Sequence, residues 1–296
     1  MYIHRLHPEI FQFTETLAVR WYGLSYLAGF LAGYVLLKQM IKRNQLDLNA
    51  QELQDCLTSF CIFGVMLGGR IGYFLFYSTE TLLKDPLQVL RIWEGGMASH
   101  GGILGGILVL LWWSKKHKKS FWQLTDSFAV VSPLGIGFGR LANFINGELW
   151  GRPTEANWGV AFPLELPRFN PGGAMEHLRY DLPTLQQYVD NGWLPLRHPS
   201  QLYQATGEGF LLFGILWGIR QTQWSQEKHG RISLLFLLGY AVARFGVEFF
   251  REPDAELHFG WMSQGQFLSL FMIVGALVCL RLLHTQKVKR SHAKTQ

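Results

Sequence analysis

The chain has 296 residues, of which 49% are hydrophobic, 15% are aromatic and only 16% are charged. Soluble domains carry about 25% charged residues, so this composition argues against an ordinary soluble domain and indicates a membrane protein. The net charge of +6 is distributed as in a membrane topology rather than as a nucleic-acid surface, and no nucleic-acid partner is expected.

Seven apolar runs are each long enough to cross a bilayer as a helix, which takes about 20 mostly apolar residues. They are Val19–Met40, Cys56–Tyr77, Met97–Ser114, Leu124–Ile145, Leu202–Ile219, Ile232–Phe250 and Met262–Leu283. We therefore predict an all-α membrane protein, a bundle of seven transmembrane helices with an irregular insertion on the outer (periplasmic) side. No cleavable signal peptide is expected, because the first 18 residues mix polar and apolar types.

The distribution of basic residues predicts the orientation of these spans. The segments after spans one, three, five and seven hold 15 lysines and arginines, whereas the opposite side holds 9. Because such residues are enriched in cytoplasmic loops, we predict an N-terminus outside and a C-terminus in the cytoplasm. The basic run from Lys115 to Lys119 is interpreted as a topology anchor.

A single integrated membrane domain is predicted in three parts: residues 1–146 with spans one to four, the outer insertion 147–200, and residues 201–296 with spans five to seven and a cytoplasmic tail. The insertion contains seven of the 11 prolines, which favours irregular structure with short helices. Asp181–Gly192 is predicted to be a short amphipathic helix, and Leu87–Trp93 is predicted to lie along the membrane interface.

Small residues and cysteines in the apolar runs have structural interpretations. Glycines four residues apart, at positions 64 and 68, 101 and 105, and 102 and 106, predict close helix packing. Cys56, Cys61 and Cys279 lie in apolar stretches without metal-like spacing, so they are expected to be small buried hydrophobes. The sequence lacks a zinc motif and a nucleotide loop; no metal and no cofactor are predicted.

Residues 139–151 lie at the end of a long apolar run and read Gly-Arg-Leu-Ala-Asn-Phe-Ile-Asn-Gly-Glu-Leu-Trp-Gly. An arginine near hydrocarbon is costly unless it is paired or reaches water, so it usually marks a site. On a helix Arg140, Asn143 and Gly147 share one face, and the guanidinium group fits phosphate or carboxylate. The alternative is an arginine that snorkels to the interface; the nearby Asn146 and Glu148 favour a site.

The predicted topology places further polar side chains toward the outer ends of their spans. They are Tyr22, Arg70, His100, Tyr240, Arg244 and Glu248. An outer-leaflet chamber that holds several arginines is expected to bind an anionic lipid headgroup. Two structural alternatives remain open: Arg244 and Glu248, at i and i+4, neutralise each other, or His100 is a satisfied core histidine. Glycines on both sides of His100 leave room for a substrate and favour function.

Residues 139–151 also resemble the signature of the prolipoprotein diacylglyceryl transferase family, Gly-Arg-x-(Gly/Ala)-Asn-Phe-x-Asn-x-Glu-x-x-Gly, and match every fixed position. Four more stretches are similar to motifs of that family and occur in the expected order: residues 21–24, 95–102, 198–203 and 248–251. Five ordered motifs make the resemblance specific, and they extend over nearly the whole chain.

The resemblance implies a bacterial inner-membrane enzyme that transfers the diacylglyceryl group of phosphatidylglycerol to the lipobox cysteine of a prolipoprotein. A thioether forms and glycerol phosphate leaves; the partners are phosphatidylglycerol, lipobox peptides and the bilayer. The substrate thiol has an ordinary pKa near 8.5, so a base is needed. His100 is the candidate base, with Glu248 or Glu148 as rivals or orienting partners.

The resemblance also implies binding roles. Arg140 and Arg244 would hold the departing phosphate. Asn143, Asn146 and Tyr22 would fix the headgroup, and Gly151 would allow close backbone approach. Tyr240 and Arg70, which the predicted topology places on the same side, complete the predicted binding set. The rivals are an anionic-phospholipid transporter or scramblase, disfavoured because the inner half offers little beyond Asp126, and an enzyme that uses the same donor with another acceptor.

Overall fold

The computed structural model describes residues 2–13, 18–91, 95–165, 181–252, 258–259 and 262–292, with side chains for all of these except residues 258–259 and 284–292. Helices dominate the described chain. They are Trp21–Lys42, Ala50–Tyr77 with a π-helical section Phe60–Leu67, Thr79–Lys84, Ser99–Lys116, Phe121–Ile145, Leu182–Asp190, Ser200–Gln204, the π-helical Ala205–Leu211, Leu212–Arg220, Gln223–Gln226, Arg231–Val247 and Gln264–His292, with 3-10 turns at Pro86–Leu90 and Pro163–Glu165.

Four helices in the described part of the chain are long and apolar enough to cross a membrane: Trp21–Lys42, Ala50–Tyr77, Phe121–Ile145 and Gln264–Leu283. This is therefore a mostly helical membrane protein. The other three predicted spans coincide with the helix Ser99–Lys116, the helical segments from Ser200 to Arg220, and the 17-residue helix Arg231–Val247. These are shorter or less apolar than the four, so their crossing of the membrane stays a prediction.

Backbone contacts divide the chain into two compact units. One comprises the described residues of Met1–Gly33, Val130–Ser225 and Leu234–Gln296, and the other those of Tyr34–Ala129 and Gln226–Ser233. We call them the large unit and the small unit. The candidate residues on the signature stretch belong to the large unit, whereas Arg70 and His100 belong to the small unit.

In the small unit, glycines bring the helices Ala50–Tyr77 and Ser99–Lys116 into backbone contact. A Cβ atom built on Gly64 would lie 2.8 Å from the Cα atom of Gly106, and one on Gly72 would lie 2.6 Å from the Cα atom of Gly101. Only residues without a side chain allow such an approach, because any Cβ would push the two helices apart. The predicted close packing is confirmed at Gly64, Gly68, Gly101 and Gly105, whereas a Cβ atom at Gly102 would come no closer than 3.4 Å to its nearest neighbour.

Asp126, also in the small unit, caps the start of the helix Arg231–Val247. Its carboxylate is fully buried and accepts hydrogen bonds from the backbone N–H groups of Gly230 at 2.6 Å and Ser233 at 2.8 Å. The first N–H groups of a helix lack partners within the helix, and a negative charge there is stabilising. This acid therefore serves helix capping.

The insertion 147–200 carries more regular structure than its prolines predict. In the large unit, strand Val160–Ala161 pairs in parallel with Tyr2–Ile3 and antiparallel with Leu196–Arg197. The further strands are Glu9–Gln12 paired with Ala18–Arg20, and His258–Phe259 paired with Met262–Ser263. The sequence missed these strands because strands of two to four residues are too short to show a period.

Two smaller predictions have different outcomes. The amphipathic helix is present as Leu182–Asp190, capped by the Asp181 side chain and buried through Leu185. The cysteines are only partly as expected: Cys56 is buried, Cys61 is half-buried and Cys279 is exposed, because an apolar sequence does not determine which helix face packs inward. Of the predicted interfacial segment Leu87–Trp93, residues 92 and 93 lie outside the described residues.

Candidate active site

The signature stretch begins on the helix Phe121–Ile145 and continues into a loop of residues 146–151, which we call the signature loop. The helix ends because Gly147 adopts φ +67°. Its N–H group bonds to the carbonyl of Phe144 at 2.9 Å, and the N–H group of Glu148 bonds to the carbonyl of Asn143 at 3.1 Å. This pair of bonds is the Schellman motif, which favours glycine at the left-handed position. The turn delivers Glu148 back toward Asn143.

The two signature asparagines hold the Glu148 carboxylate. Its Oε1 atom accepts from Asn143 Nδ2 at 2.7 Å and from Asn146 Nδ2 at 3.4 Å. The prediction assigned these amides to a lipid headgroup, whereas in the structure their donors are directed at the acid. The Oδ1 atom of Asn146 is buried and has no hydrogen-bond partner among the described residues, so one acceptor remains available there.

An open cavity of about 510 Å³ lies against this carboxylate in the large unit. It is lined by Ala18, Arg20, Tyr22, Gly23, Asn146 and Glu148. Three of these were predicted site residues, and the structure brings them together. Tyr22 is also hydrogen-bonded to Tyr26, which lies within electrostatic range of Arg140 and Glu148. The cavity therefore joins the start of the helix Trp21–Lys42 to the signature loop.

Arg140 lies beside a buried acid, Glu208, that the sequence analysis missed, and Arg244 lies within electrostatic range of the same acid. The Arg140 Nη2 atom lies 3.9 Å from the Oε2 atom of Glu208, and its Nη1 atom lies 3.5 Å from Asn143 Oδ1. Arg244 also interacts electrostatically with Glu208, as does Arg251. Tyr240 lies within electrostatic range of Glu208 and of the same arginines. Arg140, Arg244 and Tyr240 therefore all lie within electrostatic range of Glu208 in the large unit.

Glu248 is enclosed by structural partners. Its Oε2 atom lies 3.1 Å from Arg244 Nη1, and its side chain is 3% exposed. Ser263 Oγ donates to its Oε1 atom at 3.0 Å while accepting from the N–H group of Gln266 at the start of the helix Gln264–His292. The ion pair left open by the sequence is therefore formed, and this acid is packed against a helix N-terminus. That geometry favours structure over proton transfer.

Gly151 lies where three backbone segments meet, and its predicted close approach to the lipid stays a prediction. Its N–H group bonds to the carbonyl of His198 at 2.9 Å, and it forms an isolated bridge with Arg251. A Cβ atom at Gly151 would lie 2.6 Å from that His198 carbonyl oxygen and 2.8 Å from the His198 Cβ atom. The space beside its Cα atom is filled by protein, so glycine is needed there for chain packing.

Gly151→Ala is expected to lower the free energy of unfolding by about 1–3 kcal/mol, because an extra carbon in a filled space forces backbone shifts. Thermal unfolding of the detergent-solubilised protein checks this. The matched control is Gly214→Ala, where a Cβ atom would meet nothing within 4 Å. If both variants unfold at the wild-type temperature, the close packing at Gly151 is not what requires glycine.

The 198–203 motif anchors the signature loop rather than lining the cavity. Gln201 Nε2 donates to the Glu148 carbonyl at 2.6 Å, and Ser200 Oγ donates to the Leu149 carbonyl at 3.1 Å. Both side chains are fully buried. Burial also lowers the pKa of His198, whose Nδ1 atom lies 3.2 Å from the Tyr203 hydroxyl. Two family motifs distant in sequence are therefore one structural feature.

Arg197 ties the insertion to this anchor. Its guanidinium group forms a two-point ion pair with Glu165, donates to the Gly151 carbonyl at 3.0 Å, and reaches Glu252 at 2.8 Å. The Glu165 carboxylate raises the pKa of Arg197. With these three partners, Arg197 stabilises the signature loop.

In the small unit, backbone carbonyls surround the guanidinium group of Arg70. Its side chain is 2% exposed, and its guanidinium group donates to five carbonyls. They belong to Gln88 at 2.6 Å, Arg91 at 2.8 Å, Gly96 at 3.1 Å, Val89 at 3.2 Å, and Gly95. Each donor nitrogen is occupied by a carbonyl, so in the structure this arginine holds residues 88–91 and 95–96 together, and its contact with lipid stays a prediction.

His100 is exposed on the first turn of the helix Ser99–Lys116. It belongs to the small unit, so its predicted role as a base stays a prediction.

The sequence analysis assigned no role to four residues that the structure places at or beside the site: Glu208, Gln201, Gln204 and Arg20. For Glu208 the signal was present in the sequence, because a carboxylate within a predicted span is itself a marker of a site.

Comparison with known proteins supplies the family. The family model described as prolipoprotein diacylglyceryl transferase matches residues 8–282. A protein of Xanthomonas euvesicatoria pv. vesicatoria (strain 85-10) is 42% identical over 285 residues, 95% of this chain and 92% of its own. One of Stenotrophomonas maltophilia (strain R551-3) is 42% identical over 286 residues, with the same coverages, and one of Xylella fastidiosa (strain M23) is 42% identical over 283 residues, 93% and 91%.

All three relatives are named phosphatidylglycerol–prolipoprotein diacylglyceryl transferase. The match covers almost the full length of both partners in each comparison and includes all five motifs by position. The chain therefore belongs to the prolipoprotein diacylglyceryl transferase family.

Proposed function

We propose that this protein transfers the diacylglyceryl group of phosphatidylglycerol to the cysteine thiol of a prolipoprotein lipobox, the first step of lipoprotein maturation. The sulfur forms a bond to the glyceryl carbon, and the bond between that carbon and the phosphate oxygen breaks. The oxygen keeps the electron pair, so glycerol phosphate leaves; the thiol proton passes to a base. Atoms and charge balance without a redox partner.

The observation that carries this proposal, in a chain of this family, is that Arg140 lies 3.9 Å from the buried Glu208 while Arg244 lies within electrostatic range of the same acid. During the transfer the phosphate group changes from a singly charged diester to a doubly charged monoester. Guanidinium groups held near the leaving phosphate oxygen stabilise the negative charge that develops there. Stabilising developing charge is how electrostatic catalysis lowers the barrier. The planar fork of arginine also matches two phosphate oxygens.

The cavity is proposed as the place where the thiol approaches. It lies between Tyr22 and Glu148, and Glu148 is linked to Arg140 through Asn143. Tyr22, Asn143, Asn146 and Tyr240 would orient the lipid head and the acid, and His100 remains the candidate base, with Glu148 as its rival.

The membrane arrangement is part of the proposal. Seven spans, the N-terminus outside, the C-terminus in the cytoplasm and the bacterial inner membrane are supported by the basic-residue distribution and by the helices at all seven predicted positions. Residues 147–200 would then be extracytoplasmic, between residues 1–146 and 201–296. Labelling of cysteines introduced into each predicted loop, from either side of sealed vesicles, tests this orientation.

The function is tested with the full-length protein in vesicles that contain labelled phosphatidylglycerol and a lipobox peptide. We expect one thioether-linked diacylglyceryl peptide for each glycerol phosphate released. A peptide with serine in place of its cysteine is the matched control and should stay unmodified. Lipid redistribution between leaflets without product would instead indicate a scramblase, and product on another acceptor would indicate the other rival enzyme.

The two candidate carboxylates are expected to behave differently. Glu148→Gln should lower kcat for transfer by about 10- to 100-fold with unchanged thermal stability, because this acid lies on the cavity and acts on the reaction. Glu248→Gln should lower the free energy of unfolding by about 1–3 kcal/mol, because Arg244 loses its buried charged partner.

Steady-state kinetics and thermal unfolding of both variants check this pair, and each variant is the control for the other. If Glu248→Gln keeps full stability and loses transfer, Glu248 rather than Glu148 takes part in the chemistry.

A further inference from the structure

Glu208 is a fully buried carboxylate that the proposed reaction does not yet use. Its side chain is 0% exposed, and its Oε1 atom accepts one hydrogen bond, from Gln204 at 3.1 Å. The Oε2 atom has no hydrogen-bond partner among the described residues. A buried charge of this kind is strongly disfavoured without compensation, and buried acids within membrane helices are commonly functional.

Helix packing places this acid next to the signature helix. The chain is π-helical over Ala205–Leu211, a geometry that is often found at functional sites. A Cβ atom on Gly209 would lie 2.5 Å from the Cα atom of Gly137, so the two backbones touch. Glu208 lies one residue before Gly209, and Arg140 lies three residues after Gly137. Their side chains therefore meet one helical turn from this backbone contact.

The charges around Glu208 are mainly positive. Arg140 Nη2 lies 3.9 Å from its Oε2 atom, and Arg244 and Arg251 interact with it electrostatically. At 3.9 Å the Arg140 guanidinium is attracted by the acid without forming a close hydrogen bond. Arg140 is also 22% exposed, so its N–H groups remain able to bind an arriving phosphate.

We propose that Glu208 is a positioning residue, a fixed negative charge that orients Arg140 and Arg244 and offsets their charge so that the glycerol phosphate product is released. This inference rests on the proposed function. Without the acid, Arg140 would face the doubly charged product without its nearest carboxylate partner. Tight product binding would then slow turnover, because binding energy shared by the ground states does not raise kcat.

Glu208→Gln and Glu208→Asp separate charge from shape. For Glu208→Gln we expect glycerol phosphate to inhibit transfer about tenfold more strongly, as loss of one nearby like charge predicts, together with a lower kcat. Glu208→Asp keeps the charge, so its inhibition constant should stay within about threefold of wild type even if kcat falls. A purely structural role would lower stability and leave product inhibition unchanged.

The matched control is Glu155→Gln, which removes the same charge at an exposed position of the insertion and should leave both parameters unchanged. Unchanged inhibition in Glu208→Gln, or tightened inhibition in Glu208→Asp, overturns the proposal. The Asp variant decides alone if the Gln variant does not fold.

Direct binding distinguishes this inference from the proposed function. The affinity of glycerol phosphate for the wild-type protein and for Glu208→Gln is measured by titration calorimetry, which needs no transfer reaction. Tighter binding to the variant supports the inference even if the wild type makes no thioether, and equal or weaker binding overturns it. Failure of the thioether assay with the wild-type protein counts against the proposed function alone.

Discussion

Arg140→Lys is expected to lower kcat/KM for thioether formation by about 100-fold or more, since removing one well-placed donor to a developing charge costs about that much. Lysine keeps the charge but offers a single ammonium group in place of a planar fork, so it cannot bind two phosphate oxygens side by side. It would also lose the Nη1 contact to Asn143 and the Nη2 contact to Glu208. Initial rates over a range of phosphatidylglycerol fractions in vesicles measure this.

The control for this variant is Arg91→Lys, which makes the same change at an exposed arginine whose partner, Asp85, is also exposed. It should retain wild-type kinetics, because exposed ion pairs contribute little. Near-normal thioether formation by Arg140→Lys would mean that Arg140 has a structural role and that the leaving phosphate is bound elsewhere.

His100→Gln is expected to reduce transfer by about 10²- to 10⁴-fold while phosphatidylglycerol binding is retained, because loss of a general base has an effect of that size. Glutamine keeps a similar length and hydrogen-bonding capacity but accepts no proton near neutral pH. The residual rate of the variant should rise with pH more steeply than that of the wild type, since more of the substrate thiol ionises as the pH approaches its own pKa.

His229→Gln is the control, because His229 is exposed and has no proposed role. Loss of phosphatidylglycerol binding in His100→Gln would show that His100 holds the lipid. A residual rate that does not respond to pH would remove His100 as the base and leave Glu148 as the candidate.

Much of the helical structure could be predicted from local sequence. Apolar runs of about 20 residues give helices whatever their neighbours are, because the backbone must satisfy its own hydrogen bonds in hydrocarbon. The end of the signature helix was also encoded locally, since Gly147 permits the left-handed turn. The glycine pairs predicted backbone contact because only glycine leaves space for it.

The candidate site was predictable as a set of residue types and less so as a set of partners. Arg70 and Arg140 are equivalent in sequence terms, each an arginine in an apolar span. The structure surrounds Arg70 with carbonyls, whereas Arg140 stays partly exposed beside Glu208. The asparagines were recognised as binding groups, but their donors are directed at Glu148. Hydrogen-bond partners depend on distant segments, so periodicity cannot assign them.

The sequence by itself determined the membrane class, the helical positions, the family and most of the reactive side chains, because apolar length, charge composition and motif spacing are local properties. Only the tertiary structure decided which charges lie together, namely Glu248 with Arg244 and Glu208 with Arg140. It also decided that Gly151 packs against the His198 backbone. The physical reason is that the cost of a buried charge or a close backbone contact depends on what fills the space around it, and segments far apart in the chain supply those atoms.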